Sequence, residues 1–280
     1  MAEFDTRRTP ARTDLAAAHL QGVVPAPRYV EGAPHQVSAA VAPLRARPDL
    51  DAEQETQLLF GEGFTVYDEA DGFAWGQSAL DGYVGYVDVE ALSAPIVPAT
   101  HRIIALRTYA FSRASLKSPP YYLLSLNARV TPEAREGRYV KLARSGWVPE
   151  IHIAPLDAAA TDWVAVAERF LHAPYQWGGR ESLGLDCSGL IQTALHAAGI
   201  ACPRDSDMQA AELGHPAPVD LDRLQRGDLI CWNGHIGVML DAERLLHANA
   251  HHMATAIEPV KVAAERIAAT AGPVTHVRRL

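Results

Sequence analysis

Residues 184–199 read GLDCSGLIQTALHAAG, and residues 228–248 read DLICWNGHIGVMLDAERLLHA. In the first run Leu190, Ile191, Ala194, Leu195 and Ala198 recur at helical spacing, and Gly199 supplies a left-handed stop. That pattern is an amphipathic helix opening at Asp186-Cys187. The second run divides into three short apolar strands, Asp228–Trp232, His235–Leu240 and Arg244–Ala248, the first two separated by the turn pair Asn233-Gly234. Ahead of both, DWVAVAERFL (162–171) places Trp163, Val166, Ala167 and Phe170 on one helical face, and the loop APYQWGGRESLGLD leads into the helix. Helices first and sheet after give an α+β domain from about residue 158 to 280.

Working outward, the texture changes between Val41 and Leu156. Short apolar or aromatic runs alternate with Gly, Asp, Ser and Pro, as in LLFGEGFTVYDEADGFAWGQSALDGYVGYVDV, which predicts small β-barrels. An internal repeat sharpens this. Leu44-Arg45 recurs as Leu106-Arg107 at an offset of 62, and Gly85-Tyr86-Val87 recurs as Gly146-Trp147-Val148 at an offset of 61. Two copies of a unit of about 60 residues are expected, over 41–95 and 96–157. Residues 1–40 have little periodicity, with Pro25, Pro27 and Pro34 breaking the stretch from Val23 to His35, and read as a lead-in arm.

The chain has 280 residues, 48% hydrophobic and 21% charged, enough for two or three domains with their own cores. A net charge of −8 and only three lysines (117, 141 and 261) speak against nucleic acid or an anionic membrane as partner. No window approaches the ~18 apolar residues of a spanning helix. The amino terminus lacks the form of a signal peptide: its apolar run, Leu15–Leu20, is short, interrupted by His19 and preceded by Asp14. The three cysteines, 187, 202 and 231, are an odd number in a long chain, which fits a reducing compartment. A cytoplasmic location is therefore expected.

Cys187 opens a helix with Asp186 at the N-cap, where unpaired N–H groups and the helix dipole favour a thiolate. A lone cysteine there is as readily a buried packing residue, and Cys202 and Cys231 are read that way. His235 changes the balance, because it begins a strand just after a turn. A nucleophilic thiol needs an imidazole to take its proton, and that imidazole needs a third group to fix its tautomer. His247, twelve residues on, reaches the far nitrogen of His235 if the two strands pair antiparallel. A zinc site built from His247, His251, His252, Cys231 and His235 is disfavoured, since HExxH and paired CxxC motifs are both absent. No metal or cofactor is expected, and His251 and His252 read as loop residues.

The ordered set PYQWGG, DCSGL, GHIGV and LLHAN resembles the NlpC-type cell-wall peptidases, which are papain-like cysteine peptidases. The resemblance runs from about Asp162 to Leu280. The upstream barrels are similar to the bacterial SH3-like domains that precede this catalytic domain in the γ-D-glutamyl-L-diamino-acid endopeptidases (dipeptidyl-peptidase VI). The implied fold is α+β, with two small SH3-like β-barrels followed by a papain-like NlpC-type catalytic domain. The implied catalytic residues are Cys187 as nucleophile, His235 as base and His247 as orienting residue.

The implied substrate is a murein stem peptide, L-Ala-γ-D-Glu-diamino acid, cut after γ-D-glutamate and read through its free ammonium. Acceptors for that ammonium are expected at Glu62 and Tyr83, with Asp186 and Ser188 beside the nucleophile and Tyr175 and Trp177 as an aromatic wall. Glu62 has an alternative as a turn carboxylate between Gly61 and Gly63, and Trp177 one as core packing behind Gly178-Gly179. Tyr83 is expected to point outward and Tyr86 to fill the barrel, while Arg180 and Arg204 are read as solvated surface, with contact to the substrate's free carboxylates as the alternative. The oxyanion would be held by the Cys187 N–H, with Tyr175 a candidate second donor. Two rival functions remain: acyl transfer from the same acyl-enzyme, and a non-catalytic wall-peptide-binding protein.

Overall fold

The structure is a computed structural model and describes residues 4–280; residues 1–3 of the expected arm lie outside the described residues. The chain divides into two compact units, the first ending at Leu156 and the second beginning at Asp157.

The first unit contains two barrels of one design. In the first, five strands occur in chain order as Val41–Arg45, Gln54–Leu59, Gly63–Ala70, Phe73–Ser78 and Val84–Asp88. They assemble in the spatial order second, first, fifth, fourth, third. The second barrel repeats this with Arg107–Phe111, Pro120–Ser125, Pro132–Glu136, Tyr139–Leu142 and Gly146–Pro149, in the same spatial order. The expected repeat is thus visible as topology.

Its register differs from the sequence reading. Arg45 pairs with Tyr86 in one barrel, and Phe111 pairs with Trp147 in the other. Tyr86 and Trp147 are therefore equivalent, but the counterpart of Arg45 is Phe111, not Arg107. The glycine before each aromatic has a reason. A Cβ on Gly85 would meet Leu44 Cδ2 at 2.2 Å, and one on Gly146 would meet the Phe111 carbonyl oxygen at 2.5 Å. Each barrel needs close approach where its first strand crosses its fifth.

The lead-in contributes to this unit. Ala33–Val37, within the expected arm, is a strand that pairs with Gly63–Ala70. Arg12 stacks over the Trp75 ring at 4.6 Å and pairs with Asp68 at 2.6 Å. The expected directions of the two tyrosines are reversed. Tyr83 lies in the first barrel's core with Leu44, Phe64 and Val87, while Tyr86 is half-buried on the outer face, its hydroxyl accepting from Arg12 Nη1 at 3.3 Å. The inward positions of the fifth strand are Gly85 and Val87, so strand parity turns Tyr86 outward.

The second unit is α+β. Its helix Trp163–Glu168 is capped by Asp162, whose side chain accepts from the Ala165 N–H. The helix Cys187–Ala197 is buried at every position except His196, as befits a helix covered on all sides. Six antiparallel strands follow in the order His215–Ala217, His276–Arg279, Leu229–Trp232, His235–Met239, Arg244–Asn249 and Ala254–Pro259. The three expected strands sit in the middle of this sheet. A further helix, Val260–Ala271, buries Val260, Ala263 and Ile267 against it. No helix among the described residues is long and apolar enough to cross a membrane.

Candidate active site

Cys187 begins the buried helix, and the local structure before it is held by one carboxylate. Asp186 Oδ1 accepts from the Gly189 N–H at 2.7 Å, the N-cap bond expected of it, and Oδ2 accepts from the Gly178 N–H at 2.9 Å. Arg204 donates to both oxygens, Nη1 to Oδ1 at 3.0 Å and Nη2 to Oδ2 at 2.6 Å, and Nη1 also donates to Ser188 Oγ at 2.8 Å. Ser188 Oγ in turn lies 3.3 Å from Asp186 Oδ1. Five donors fill the roughly four lone-pair positions of a carboxylate.

Asp186 and Ser188 are held to each other and to Arg204 beside Cys187. Burial corrects two expectations. Arg204 is 1% exposed rather than solvated, and so is Arg180. Arg204 is the residue whose partner, the Asp186 carboxylate, sequence reasoning did not find.

Sequence spacing did place the histidines. The strands His235–Met239 and Arg244–Asn249 pair antiparallel, with Val238 opposite Leu246. His235 and His247 therefore project from the same face, and His235 Nε2 lies 2.8 Å from His247 Nδ1. Gly237 leaves room for this: a Cβ there would meet His247 Cβ at 3.0 Å and Leu245 Cδ1 at 2.9 Å. The Trp232 ring covers His235 with centroids 5.6 Å apart.

On the far side, His247 Nε2 lies 2.7 Å from Glu258 Oε1, and Arg266 Nη2 donates to the same oxygen. Glu258 and Arg266 were absent from the sequence reading. The row therefore runs His235, His247, Glu258, Arg266, across three strands and the terminal helix.

The electrostatics follow from burial. Desolvation, with Asp186 adding repulsion, pushes the Cys187 thiol up to about 12, although the N–H groups of Ile236 and Ser188 and the Arg204 guanidinium act the other way. Burial thus outweighs the helix start that was expected to favour a thiolate. Burial and the neighbouring His247 push His235 down to about 3. The resting pair is a neutral thiol and a neutral imidazole. The influence of the Ile236 N–H on the thiol places the sulfur at the beginning of His235's strand.

Tyr175 is tied in by its backbone, donating its N–H to the Met253 carbonyl at 3.0 Å, and it bridges to Leu185. Burial, then the charges of Cys187 and Asp186, raise its phenol, which therefore remains an O–H donor close to the thiol. Trp177 is 60% exposed, which removes the core-packing alternative.

Glu62 and Tyr83 belong to the amino-terminal unit. Glu62 is 2% exposed, and its Oε2 accepts from the Leu59 N–H at 3.0 Å, closing the turn that contains Gly61. Tyr83 is in the barrel core, as described.

Cys202 and Cys231 are buried thiols outside any disulfide, and burial pushes Cys231 up to about 12. His247, His252 and Glu258 each bring one ligand atom within 4.8 Å of the others. The Arg266 cation already occupies the Glu258 oxygen and would repel a metal ion, so this donor set does not fit one. His251 and His252 lie in the turn between strands, where His252 bonds to Asn249 Oδ1.

With this geometry in hand, the relatives take on meaning. Residues 172–267 match the NlpC/P60 family, and residues 44–92, within the first barrel, match the bacterial dipeptidyl-peptidase Sh3 domain. The chain is an NlpC/P60 peptidase with an SH3-like amino-terminal part. This peptidase is 27% identical over 247 residues to dipeptidyl-peptidase 6 of Lysinibacillus sphaericus, spanning 76% of this chain and 86% of the relative. It is 30% identical over 106 residues to a gamma-D-glutamyl-L-lysine dipeptidyl-peptidase of Bacillus subtilis (strain 168), spanning 35% of each. An NlpC/P60 family protein from Bacillus cereus has the same fold, with a TM-score of 0.75 at 18% identity over 88% of this chain and 99% of that one.

Proposed function

We propose that this peptidase hydrolyses the bond between γ-D-glutamate and the following diamino acid in murein stem peptides that carry a free N-terminal L-alanine. The observation that carries the chemistry is the 2.8 Å contact between His235 Nε2 and His247 Nδ1. It leaves His235 Nδ1 for the thiol of Cys187. The likeness to a dipeptidyl-peptidase 6 and to a gamma-D-glutamyl-L-lysine dipeptidyl-peptidase supports the substrate class.

In this reading Cys187 Sγ gives its proton to His235 Nδ1 as the sulfur attacks the γ-carbonyl carbon of D-glutamate. The oxyanion accepts from the Cys187 backbone N–H at the helix start and from the Tyr175 hydroxyl. Collapse breaks the C–N bond, and the departing amine takes the proton back from His235. Water then attacks the thioester with His235 again as base, releasing L-Ala-D-Glu and the thiol. A neutral resting pair suits this sequence, because the proton moves only as the new bond forms. A free-amine requirement would direct the enzyme to murein fragments rather than intact wall, in keeping with a cytoplasmic recycling role.

The test is mass spectrometry of L-Ala-γ-D-Glu-meso-diaminopimelate beside its N-acetylated twin, with Cys187→Ala as control. Release of L-Ala-D-Glu from the free peptide alone, abolished in Cys187→Ala, is the expected result. Cleavage of both peptides would remove the ammonium requirement, and with it the recognition role expected of Glu62. Cleavage of neither would overturn the substrate assignment. Within the first outcome, Glu62→Ala should lower kcat/KM for the free peptide; an unchanged value would take Glu62 out of recognition.

A further inference from the structure

The row of side chains does not end at His247. Glu258 follows on the next strand, where Ala256 is the residue opposite His247, so Glu258 is its diagonal neighbour on the same face. It contributes an oxygen 2.7 Å from His247 Nε2, and Arg266 reaches that oxygen from the terminal helix. Although burial alone would raise it, the Glu258 carboxyl is held at about 2 by His247 and Arg266. It is a carboxylate at neutral pH, able only to accept.

Donor and acceptor roles then follow one by one. His247 must place its proton on Nε2 to face a carboxylate. Burial lowers His247, so its imidazole is neutral and its Nδ1 is an acceptor. The atom 2.8 Å from that acceptor, His235 Nε2, must carry the proton of its own ring. His235 Nδ1 is left with a lone pair.

We propose that Glu258, anchored by Arg266, is a positioning residue that sets the tautomers of His247 and His235 in series and so presents the His235 Nδ1 lone pair to Cys187. It never touches substrate. Its reach is two imidazoles long, and it also stabilises the imidazolium that His235 becomes after taking the thiol proton. Arg266 acts one step further back, keeping Glu258 ionised and its oxygen aimed at His247. The proposal deepens the peptidase reading and rests on it only for kinetics.

The test has a spectroscopic and a kinetic arm. Nitrogen NMR of the full chain with labelled histidine, at neutral pH and without substrate, reads which ring nitrogen of His235 and His247 bears the proton. In the wild type both rings should be protonated on Nε2. In Glu258→Leu the His247 ring loses its carboxylate and His235 should show a mixture of tautomers. Glu258→Gln should restore the wild-type pattern, because Arg266 favours the amide oxygen at the same spot.

General base catalysis is worth about 10²- to 10⁴-fold, so losing its orientation should lower kcat about 10- to 100-fold in Glu258→Leu, with KM within about twofold. Glu258→Gln should recover most of that loss. A wild-type His235 protonated on Nδ1 would overturn the proposal, and this needs no variant to fold. So would a folded Glu258→Leu with unchanged histidine signals, or a loss confined to KM. If the murein peptide is not cleaved by any form, the substrate reading fails, while the spectra still decide the tautomers.

Discussion

Two arginine–carboxylate pairs flank the site from opposite sides, and they differ in what they hold. Asp186–Arg204 lies beside Cys187, with side chains 9% and 1% exposed and bidentate geometry. Glu258–Arg266 lies behind the histidines, with side chains 11% and 29% exposed and a single shared oxygen. The first pair fixes backbone: the helix start at Gly189, the loop at Gly178 and the Ser188 hydroxyl all converge on it. The second fixes a proton. A buried pair that anchors backbone should register mainly in stability, and an edge pair that orients an imidazole mainly in turnover.

The largest effect expected from breaking this contrast is on folding. Arg204→Leu strands Asp186 in a buried pocket with its charge uncompensated, which costs on the order of 3–5 kcal/mol. Urea unfolding should show that loss. Arg204→Lys should recover little, because a single ammonium cannot serve both carboxylate oxygens in the plane where the guanidinium does. A loss below about 1 kcal/mol in Arg204→Leu would mean that the Gly178 and Gly189 bonds hold Asp186 without its partner.

Much of this site was legible from sequence, and the line between what was and was not is a physical one. Cys187 and the two histidines sit at element boundaries that local signals mark: an Asp N-cap, an Asn-Gly turn, and strands with apolar alternation. Antiparallel pairing of neighbouring strands then brings His235 to His247 with no long-range information. Glu258 is the second-to-last residue of the run ATAIEP, just before Pro259, and its partner is decided by which residue faces His247 across the next strand pair. Arg266 depends on the terminal helix folding back on the sheet, although Val260, Ala263 and Ile267 do carry the helical spacing that would have revealed that helix. Arg204 has no local signal, because a buried arginine looks like a solvated one until the carboxylate it meets is known. In the first barrel, the fold was visible as a repeat, but inward and outward faces were not. Gly85 takes an inward position that no side chain could occupy, and so the larger Tyr86 turns out.

An intermediate effect should appear as a pH slope. His235 has an ordinary value of 6.5 and is held near 3 by burial, so the unfolded chain binds a proton that the folded chain refuses. Stability therefore falls as pH drops below 6.5, by about 1.4 kcal/mol per pH unit for each such group, until the folded value is reached. His247 is lowered too and adds to the slope in the same direction. Below 4.5, Glu258 joins them, since its folded carboxylate resists a proton that the unfolded one accepts. Urea midpoints from pH 7 to 4.5 should fall in the wild type, and the slope should shrink by about one proton in His235→Phe. An unchanged slope in that variant would show that His235 is not held neutral in the folded protein.

The smallest expected effect on stability sharpens the comparison most. Arg266→Met removes a guanidinium that is 29% exposed and shares its carboxylate with His247, so water can replace it, and such pairs contribute about 0–1 kcal/mol. Glu258 would keep its hydrogen bond to His247 but lose the cation that holds its charge and direction. Unfolding should therefore move little while turnover falls, the reverse of the pattern expected for Arg204→Leu. Equal stability losses in the two variants would make both pairs structural and leave the histidines to orient themselves. A stable Arg266→Met with reduced kcat would mean that the second arginine works through the carboxylate, and the carboxylate through two rings, on the base that serves Cys187.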